Sequence, residues 1–351
     1  MRLESDVSLA PLTTLRLGGK AARVAVIERE EDVPEALALA ERLGVEAFVL
    51  GGGSNLVVAD AGPTALVVRM ASRGRDVVVR DGVARVTLAA GEPWDPFVAF
   101  AVGEGFSGVE CLGGIPGLVG ATPIQNVGAY GQEVKDTISV VRAYDRDARV
   151  FVDLTPEDCA FGYRASRLKS TARFIVTAVT FALPQKDASA PVRYAELSRA
   201  LGVADGAAAP LRRVHETVVA LRRAKGMVSD DADPESVSAG SFFVNPVVDD
   251  AALARIGEGL RGAGDVPRHP AGEGKWKIPA AWLIERAGFA RGFRIADARV
   301  HVSTKHSLAL VNDGDGTTRE LLELARLIVG GVERHFGVVL TPEPVMVGCR
   351  L

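Results

Sequence analysis

Residues 238–246, SAGSFFVNP, place one hydroxyl beside two adjacent aromatic rings in a turn that contains glycine. Burial in a strand would account for Phe242 and Phe243, but it would not account for Ser241 together with Asn245. A serine in this setting is a packing residue, a turn residue, or a proton donor held in a fixed position. The stretch alone leaves these three alternatives open.

A glycine-rich stretch, VLGGGSNLVV, occupies residues 49–58 and follows a predicted strand. Glycines allow the backbone to approach an anion closely, and Ser54 and Asn55 add side-chain donors. The dinucleotide fingerprint G-x-G-x-x-G would require glycine where Leu56 stands. No glycine-lysine pair is followed by the Ser or Thr of a Walker A loop. A tight turn and a cofactor loop are therefore both compatible with this stretch.

A second stretch, GGIPGLVGATPIQNVGAYGQE, covers residues 113–133. It is unsuited to a helix and too apolar for a disordered linker, and it offers Gln125, Asn126 and Tyr130 as polar groups. It is either an irregular buried loop or a wall around a large flat ligand. We favour the wall, because an irregular buried backbone needs hydrogen-bond partners that a cofactor would supply.

Composition excludes several classes of protein. The chain has 351 residues and a net charge of −3, so no basic footprint indicates a nucleic-acid partner. Cys111, Cys159 and Cys349 lie far apart, and no H-E-x-x-H pattern occurs, so neither a disulfide framework nor a metal site is predicted. Without an apolar leader or an 18-residue apolar run, we expect a cytoplasmic enzyme with no membrane insertion.

The elements that must position these residues alternate between helix and strand. Helices are predicted at 31–44, 94–104, 194–202, 209–225 and from the capping box Thr317-x-x-Glu320, and strands at 46–50, 65–90, 138–152 and 174–183. Asp81-Gly82 is a strong hairpin signal inside the second of these strand regions. Because hairpins interrupt any regular strand-helix-strand order, the predicted fold class is α+β. The polar, proline-flanked segment 184–192 is a plausible domain boundary.

Six motifs, in this order, resemble those of the UDP-N-acetylenolpyruvoylglucosamine reductases, the flavoenzymes of bacterial peptidoglycan precursor synthesis. They are LGGGSN, GIPGLVGATPIQNVGAYG, FGYRAS, AGSFFVNP, PAAWLIERAGF and LTPEP. The resemblance runs from about residue 11 to the C-terminus. It implies an FAD-binding domain of the vanillyl-alcohol-oxidase/PCMH type, with subdomains 1–62 and 63–190, and a C-terminal α+β substrate-binding domain at 191–351.

The reaction implied by the resemblance is reduction of UDP-N-acetylglucosamine enolpyruvate to UDP-N-acetylmuramate. NADPH reduces noncovalent FAD and leaves, and hydride then passes from flavin N5 to the enolpyruvyl methylene carbon. Ser241 would protonate the adjacent carbon, while Arg164 and Glu343 would stabilise the enediolate-like intermediate. Without the resemblance, each has an ordinary alternative: a turn serine, a surface arginine beside Tyr163, and a loop carboxylate.

The resemblance also implies the residues that hold the ligands. The FAD-binding residues would be Gly51, Gly52, Gly53, Ser54, Asn55, Gly114, Ile115, Pro116, Gly117, Gly120, Ala121, Thr122, Gln125, Asn126, Gly128, Ala129 and Tyr130. Tyr194, Lys225 and Asn245 would bind the UDP moiety, and PVRYAELSRAL at 191–201 resembles the tyrosine-bearing segment of the longer subtype. Lys275 and Lys277 are either phosphate contacts or solvated charges.

Two other functions remain open at this point. One is an FAD-dependent oxidase or dehydrogenase of small alcohols or hydroxy acids, which commonly tethers its flavin through His or Cys; Cys111 is the available residue. The other is an inactive nucleotide-sugar-binding relative, although retention of Arg164, Ser241 and Glu343 together speaks against it. We expect a monomer.

Overall fold

The computed structural model describes residues 1–259 and 265–351. The strands are β1 Arg2–Ser8, β2 Lys20–Ile27, β3 Ala47–Leu50, β4 Leu56–Val58, β5 Leu66–Met70, β6 Arg75–Arg80, β7 Val83–Ala89, β8 Gly128–Ala129, β9 Gln132–Glu133, β10 Ile138–Asp145, β11 Val150–Leu154, β12 Phe174–Pro184, β13 Ser238–Ser241, β14 Val247–Asp249, β15 His269–Pro270, β16 Lys275–Lys277, β17 Val300–Val302, β18 Ala309–Asn312 and β19 Val345–Val347. The helices are α1 Asp32–Leu43, α2 Trp94–Gly103, α3 Pro156–Cys159, α4 Arg167–Ser170, α5 Ala195–Leu201, α6 Leu211–Ala224, α7 Asp250–Gly259, α8 Ala280–Arg286 and α9 Thr318–Phe336.

Internal contacts divide the chain into two compact units, each built from discontinuous segments. Unit 1 comprises Met1–Val7, Ala21–Gly53 and Thr64–Ala224, and unit 2 comprises Ser8–Lys20, Ser54–Pro63 and Lys225–Leu351. Helices α5 and α6 thus belong to unit 1, whereas the expected domain limit at residue 190 assigns them to the C-terminal domain. The division into 1–62, 63–190 and 191–351 describes functional domains and stays a prediction.

Unit 1 contains two main sheets. The first has the order β1-β2-β5-β3, with β5 parallel to both β2 and β3. Helix α1 covers it, burying Val33, Ala36 and Ala40 against strand residues such as Val68. The helix ends as predicted, because Gly44 adopts the left-handed conformation with φ 64°.

The second sheet of unit 1 is antiparallel and has the order β11-β10-β12-β7-β6. Trp94 and Phe97 of α2 pack against Phe181 of β12, so the helix covers one face of this sheet. The predicted hairpin joins β6 to β7 through Asp81 and Gly82, whose φ angles of 52° and 74° are those of a tight two-residue turn.

Unit 2 is built around a large apolar core. Its sheet β13-β18-β17 packs with helices α8 and α9. Helix α9 begins at the predicted capping box, where the side chains of Thr317 and Glu320 each accept from the other residue's backbone N–H. A parallel pair, β19 with β4, ties two distant stretches of the chain together.

Candidate active site

The two glycine-rich loops meet in unit 1. A Cβ added to Gly52 would lie 2.6 Å from the Cα of Gly117, so the two backbones approach too closely for a side chain at Gly52. At Gly51 the nearest atom would be the Cβ of Ala121 at 3.6 Å, an ordinary contact. The predicted loops thus form one backbone-lined surface, which suits a ligand recognised through peptide N–H groups.

The stretch 113–131 is irregular and largely buried or half-buried, as predicted. Asn126 is fully buried at φ 46°, and its amide nitrogen donates to Glu133 Oε2 and the carbonyl of Gly162, both at 2.9 Å. The hydroxyl of Thr122 donates to the carbonyl of Val119 at 2.8 Å. These two predicted FAD contacts therefore use their side-chain donors to hold the loop, so donation to a cofactor from them would come from the backbone.

Arg164 is held against the same loop. Its Nη2 donates to the carbonyl of Gly128 at 2.5 Å, and its guanidinium carbon lies 5.4 Å from the ring centroid of Tyr163. Its own backbone has φ 53°, a conformation that costs energy for a residue with a side chain. The half-buried guanidinium is therefore positioned by both its backbone and its contacts.

Tyr130 and Tyr194 lie against each other. Their rings form an edge-to-face pair with centroids 5.2 Å apart, and Tyr130 packs on the cluster formed by α5 and α6. Burial raises the pKa of Tyr130 to about 12, with the Glu196 carboxylate adding to the effect. Burial also raises the pKa of Tyr194. Both phenols are thus neutral donors at neutral pH, and the tyrosine segment lies beside the predicted flavin wall.

Arg222 of α6 joins this cluster, and sequence reasoning missed it. Burial lowers its pKa to about 10, and the charge of Arg164 acts in the same direction. Its Nη2 reaches the carbonyl of Gly114 at 3.5 Å. A signal was available: Leu211, Val214 and Val218 are buried, and their helical spacing places Arg222 on the same inward face. The helical spacing alone therefore predicts that Arg222 faces inward.

In unit 2 the chain segments that carry Ser241 and Glu343 lie side by side. The backbone N–H of Glu343 donates to the carbonyl of Phe242 at 2.9 Å, directly after Ser241. Asn55 Nδ2 donates to the carbonyl of Glu343 at 3.3 Å, so Asn55 lies beside the same segment of unit 2. Phe242 and Phe243 are each 1% exposed and stack edge to face, which anchors the turn in the core of unit 2.

The contacts of the other predicted substrate-binding and loop residues in unit 2 say less about their roles. Asn245 Oδ1 accepts from the backbone N–H of Ala280 at 2.8 Å at the start of α8, and its amide NH₂ group is the donor available to a ligand. Ser54 and Lys225 are half-buried members of unit 2. Lys275 and Lys277 lie on β16, which pairs with β14 and β15.

The structure assigns the predicted site residues to the units as follows. Gly51–Gly53, the residues from Gly114 to Tyr130, Arg164 and Tyr194 belong to unit 1. Ser54, Asn55, Lys225, Ser241, Asn245 and Glu343 belong to unit 2.

Cys111 is poorly suited to tether a flavin. Its side chain packs with Leu197, Val214 and Val218 in the cluster of α5 and α6. Burial raises the pKa of the thiol, so the reactive thiolate is disfavoured. The site therefore fits a noncovalent cofactor.

Among residues 1–259 and 265–351, no three His, Cys, Asp or Glu side chains come together in a way that would hold a metal ion. In the same residues, no helix has the length and apolar character needed to cross a bilayer.

Comparisons with known proteins match the chain to two family profiles. The FAD binding domain matches residues 21–152, and the C-terminal domain of UDP-N-acetylenolpyruvoylglucosamine reductase matches residues 233–347. The UDP-N-acetylenolpyruvoylglucosamine reductase of Saccharopolyspora erythraea is 49% identical over 98% of this chain and 95% of its own length. That of Streptomyces coelicolor is 50% identical over 99% of this chain and 90% of its own length.

A solved structure has a similar fold. The crystal structure of UDP-N-acetylenolpyruvylglucosamine reductase from Thermus caldophilus superimposes with a TM-score of 0.69 and 26% identity, covering 99% of each chain. Together with the two profiles, this likeness confirms the predicted fold class, an FAD-binding domain followed by a C-terminal α+β domain.

Proposed function

The chain belongs to the family of UDP-N-acetylenolpyruvoylglucosamine reductases and is an FAD-dependent oxidoreductase of peptidoglycan synthesis, and from this premise we propose its substrates and catalytic groups. The substrate is UDP-N-acetylglucosamine enolpyruvate, the product is UDP-N-acetylmuramate, and NADPH is the reductant. The observation that carries the proposal is the backbone hydrogen bond from Glu343 to the carbonyl of Phe242, which sets the segments of Ser241 and Glu343 side by side in unit 2.

The paired glycine loops would hold FAD, which when bound supplies the hydride for the reduction. The approach of Gly52 to Gly117 and the internal bonding of the Asn126 side chain both favour recognition by backbone N–H groups. Gly53 and Gly114, with φ angles of 62° and 71°, turn the backbone in ways that other residues rarely adopt. This chain's contribution is to bind and orient the cofactor.

Arg164 serves as the cation for the substrate carboxylate on which charge develops. A planar guanidinium can make two parallel hydrogen bonds to a carboxylate. The bond from Nη2 to the Gly128 carbonyl fixes its position before substrate arrives, so little reorganisation is needed. One such preorganised donor contributes about 2.7–4 kcal/mol to the transition state.

Ser241 serves as the proton donor to carbon. A hydroxyl is a weak acid, so its value lies in a fixed position, which the buried Phe242 and Phe243 provide. Glu343 assists as a donor and must carry its proton when the enediolate forms. The amide NH₂ group of Asn245 and the ammonium of Lys225 are the groups proposed to support the serine and to meet the UDP moiety, together with Tyr194.

Anaerobic stopped-flow spectroscopy of the flavin tests this proposal. NADPH should bleach the flavin absorbance, and the enolpyruvyl sugar should restore it. In Ser241→Ala the bleaching should be unchanged, whereas the recovery should slow by about 10²–10⁴-fold, the usual contribution of a positioned proton donor.

Ser238→Ala is the matched control, because Ser238 lies on the same strand and its hydroxyl accepts from the backbone N–H of Gly240 at 3.2 Å. Equal slowing in both variants would assign Ser241 a structural role. Bleaching without any recovery in the wild-type protein would contradict the substrate and favour an oxidase or dehydrogenase of small alcohols or hydroxy acids.

A further inference from the structure

Strand β6 is an open edge of the five-stranded sheet in unit 1. It pairs with β7 on one side, and no strand among residues 1–259 and 265–351 pairs with its other side. All six of its residues, RDVVVR, are exposed, including three adjacent valines at 37%, 39% and 46%. An unprotected edge rich in β-branched residues is a template for another strand.

The backbone of β6 presents alternate residues to that edge. Ala89 of β7 donates to the carbonyl of Gly74 at 2.9 Å, and Arg80 faces Val83 across a two-residue turn. In an antiparallel pair the residues that bond to the neighbour alternate. The even-numbered residues therefore bond to β7, and Val77 and Val79 direct their N–H and C=O groups outward.

The sequence of β6 is complementary to itself when it is read in the opposite direction. If two copies pair antiparallel about Val78, then Val77 lies opposite Val79 of the second copy, and Asp76 lies opposite Arg80. Both outward-facing valines then meet outward-facing valines, as the hydrogen-bond pattern requires.

Other registers lose either the pairing of outward-facing backbone groups or the pairing of Asp76 with Arg80. A shift of the pairing by one residue sets outward-facing groups against inward-facing ones. A shift by two, about Val77 or Val79, separates Asp76 from Arg80 of the other copy. Pairing about Val78 therefore joins the outward-facing N–H and C=O groups of the two copies and also places opposite charges across from each other.

We propose that two copies of this chain associate through β6, antiparallel about Val78, and so join their five-stranded sheets into one. The charged pairs lie at the ends of a short apolar centre, and Val78 shares its face with Asp76 and Arg80. The contact is one strand long, and interfaces below about 1,200 Å² are characteristic of weak, transient complexes. We therefore expect the dimer to form only at high protein concentration, whereas the sequence analysis predicted a monomer.

Exchange of the two charges tests the proposal by sedimentation equilibrium of the full chain up to about 0.5 mM. Asp76→Arg alone sets arginine opposite arginine, and Arg80→Asp alone sets aspartate opposite aspartate. Because the symmetry repeats each pair, either variant should weaken self-association by about tenfold or more. An equimolar mixture of the two variants should regain association, since both charged pairs of the mixed dimer would then join an arginine to an aspartate.

Glu35→Arg provides the control, because Glu35 is an exposed carboxylate on α1, away from this strand. It should associate like the wild-type chain, and none of the three substitutions should change the flavin-reduction rate. Sedimentation of the wild-type chain as a monomer throughout, unchanged association of both single variants, or no recovery in the mixture would each overturn the proposal.

Discussion

Replacement of Gly52 by alanine tests whether the two glycine loops are held backbone to backbone. The new Cβ would lie 2.6 Å from Gly117 Cα, 3.0 Å from its carbonyl carbon and 3.1 Å from the nitrogen of Leu118. All three are backbone atoms, so no side chain can rotate away. Ordinary contacts begin near 3.4 Å, and the loops must therefore part by about 0.8 Å.

The cost follows from this displacement. Forcing one methyl group into a well-packed interior usually costs about 1–3 kcal/mol of the free energy of unfolding. The free energy of FAD binding should fall by a similar amount, because the separated backbones no longer present their N–H groups together. A loss of about 1.4 kcal/mol in binding corresponds to about a tenfold rise in Kd, so we expect FAD affinity to fall about 10- to 100-fold.

Gly51→Ala is the matched control, since it adds the same methyl group one residue away. Its nearest neighbour is the Cβ of Ala121 at 3.6 Å, so it should leave the free energy of unfolding nearly unchanged and lower FAD affinity less than Gly52→Ala does. Fluorescence titration of the apoprotein with FAD and urea denaturation give the two quantities. If Gly52→Ala bound FAD and unfolded like Gly51→Ala, the close packing of the two loops would be refuted.

Two further changes test charged contacts within each unit. In unit 1 the hydrogen-bonded guanidinium of Arg173 lowers the pKa of Asp145 to about 2, so the unfolded chain binds this proton more tightly than the folded chain does. The stabilisation from this pair is complete above about pH 4 and is lost as the pH falls through about 2. Melting curves of the wild type and Arg173→Met should therefore converge at about pH 2. In unit 2 the carboxylate of Glu235 lies 3.1 Å from His301 Nε2 and 2.6 Å from the hydroxyl of Ser303. Glu235→Gln should therefore lower the free energy of unfolding by about 1–3 kcal/mol. An unchanged urea midpoint would contradict this prediction.

The sequence predicted most accurately those elements whose start, end or turn is set by a few neighbouring residues. Gly44 ends α1, Asp81-Gly82 makes the hairpin, and Thr317 with Glu320 begins α9, as predicted. Each signal acts within a few residues, so it does not depend on the rest of the fold. The α+β class followed from these elements and is confirmed.

The roles of individual polar residues were harder to predict, because they depend on tertiary contacts. Asn126 was expected as a group that faces the cofactor, yet its buried side chain bonds to Glu133 and Gly162 within the loop. Asn245 was expected at the substrate, yet its carbonyl oxygen accepts from Ala280. Arg222 was overlooked, although its spacing from Leu211, Val214 and Val218 along α6 predicts that it faces inward. Motif resemblance identifies a residue but not which of its atoms are already bonded.

The pairing of β19 with β4 has a consequence for the time at which unit 2 can form during translation. Asn55 and Glu343 are 288 residues apart, and the strand at Leu56–Val58 waits for Val345–Val347 before it gains this partner. At about 5–20 residues per second, the ribosome needs about 15–60 s to make the intervening chain. The segment of Ser241 therefore gains its Glu343 contact only after this interval, and residues 54–63 must meanwhile be kept from pairing with other strands.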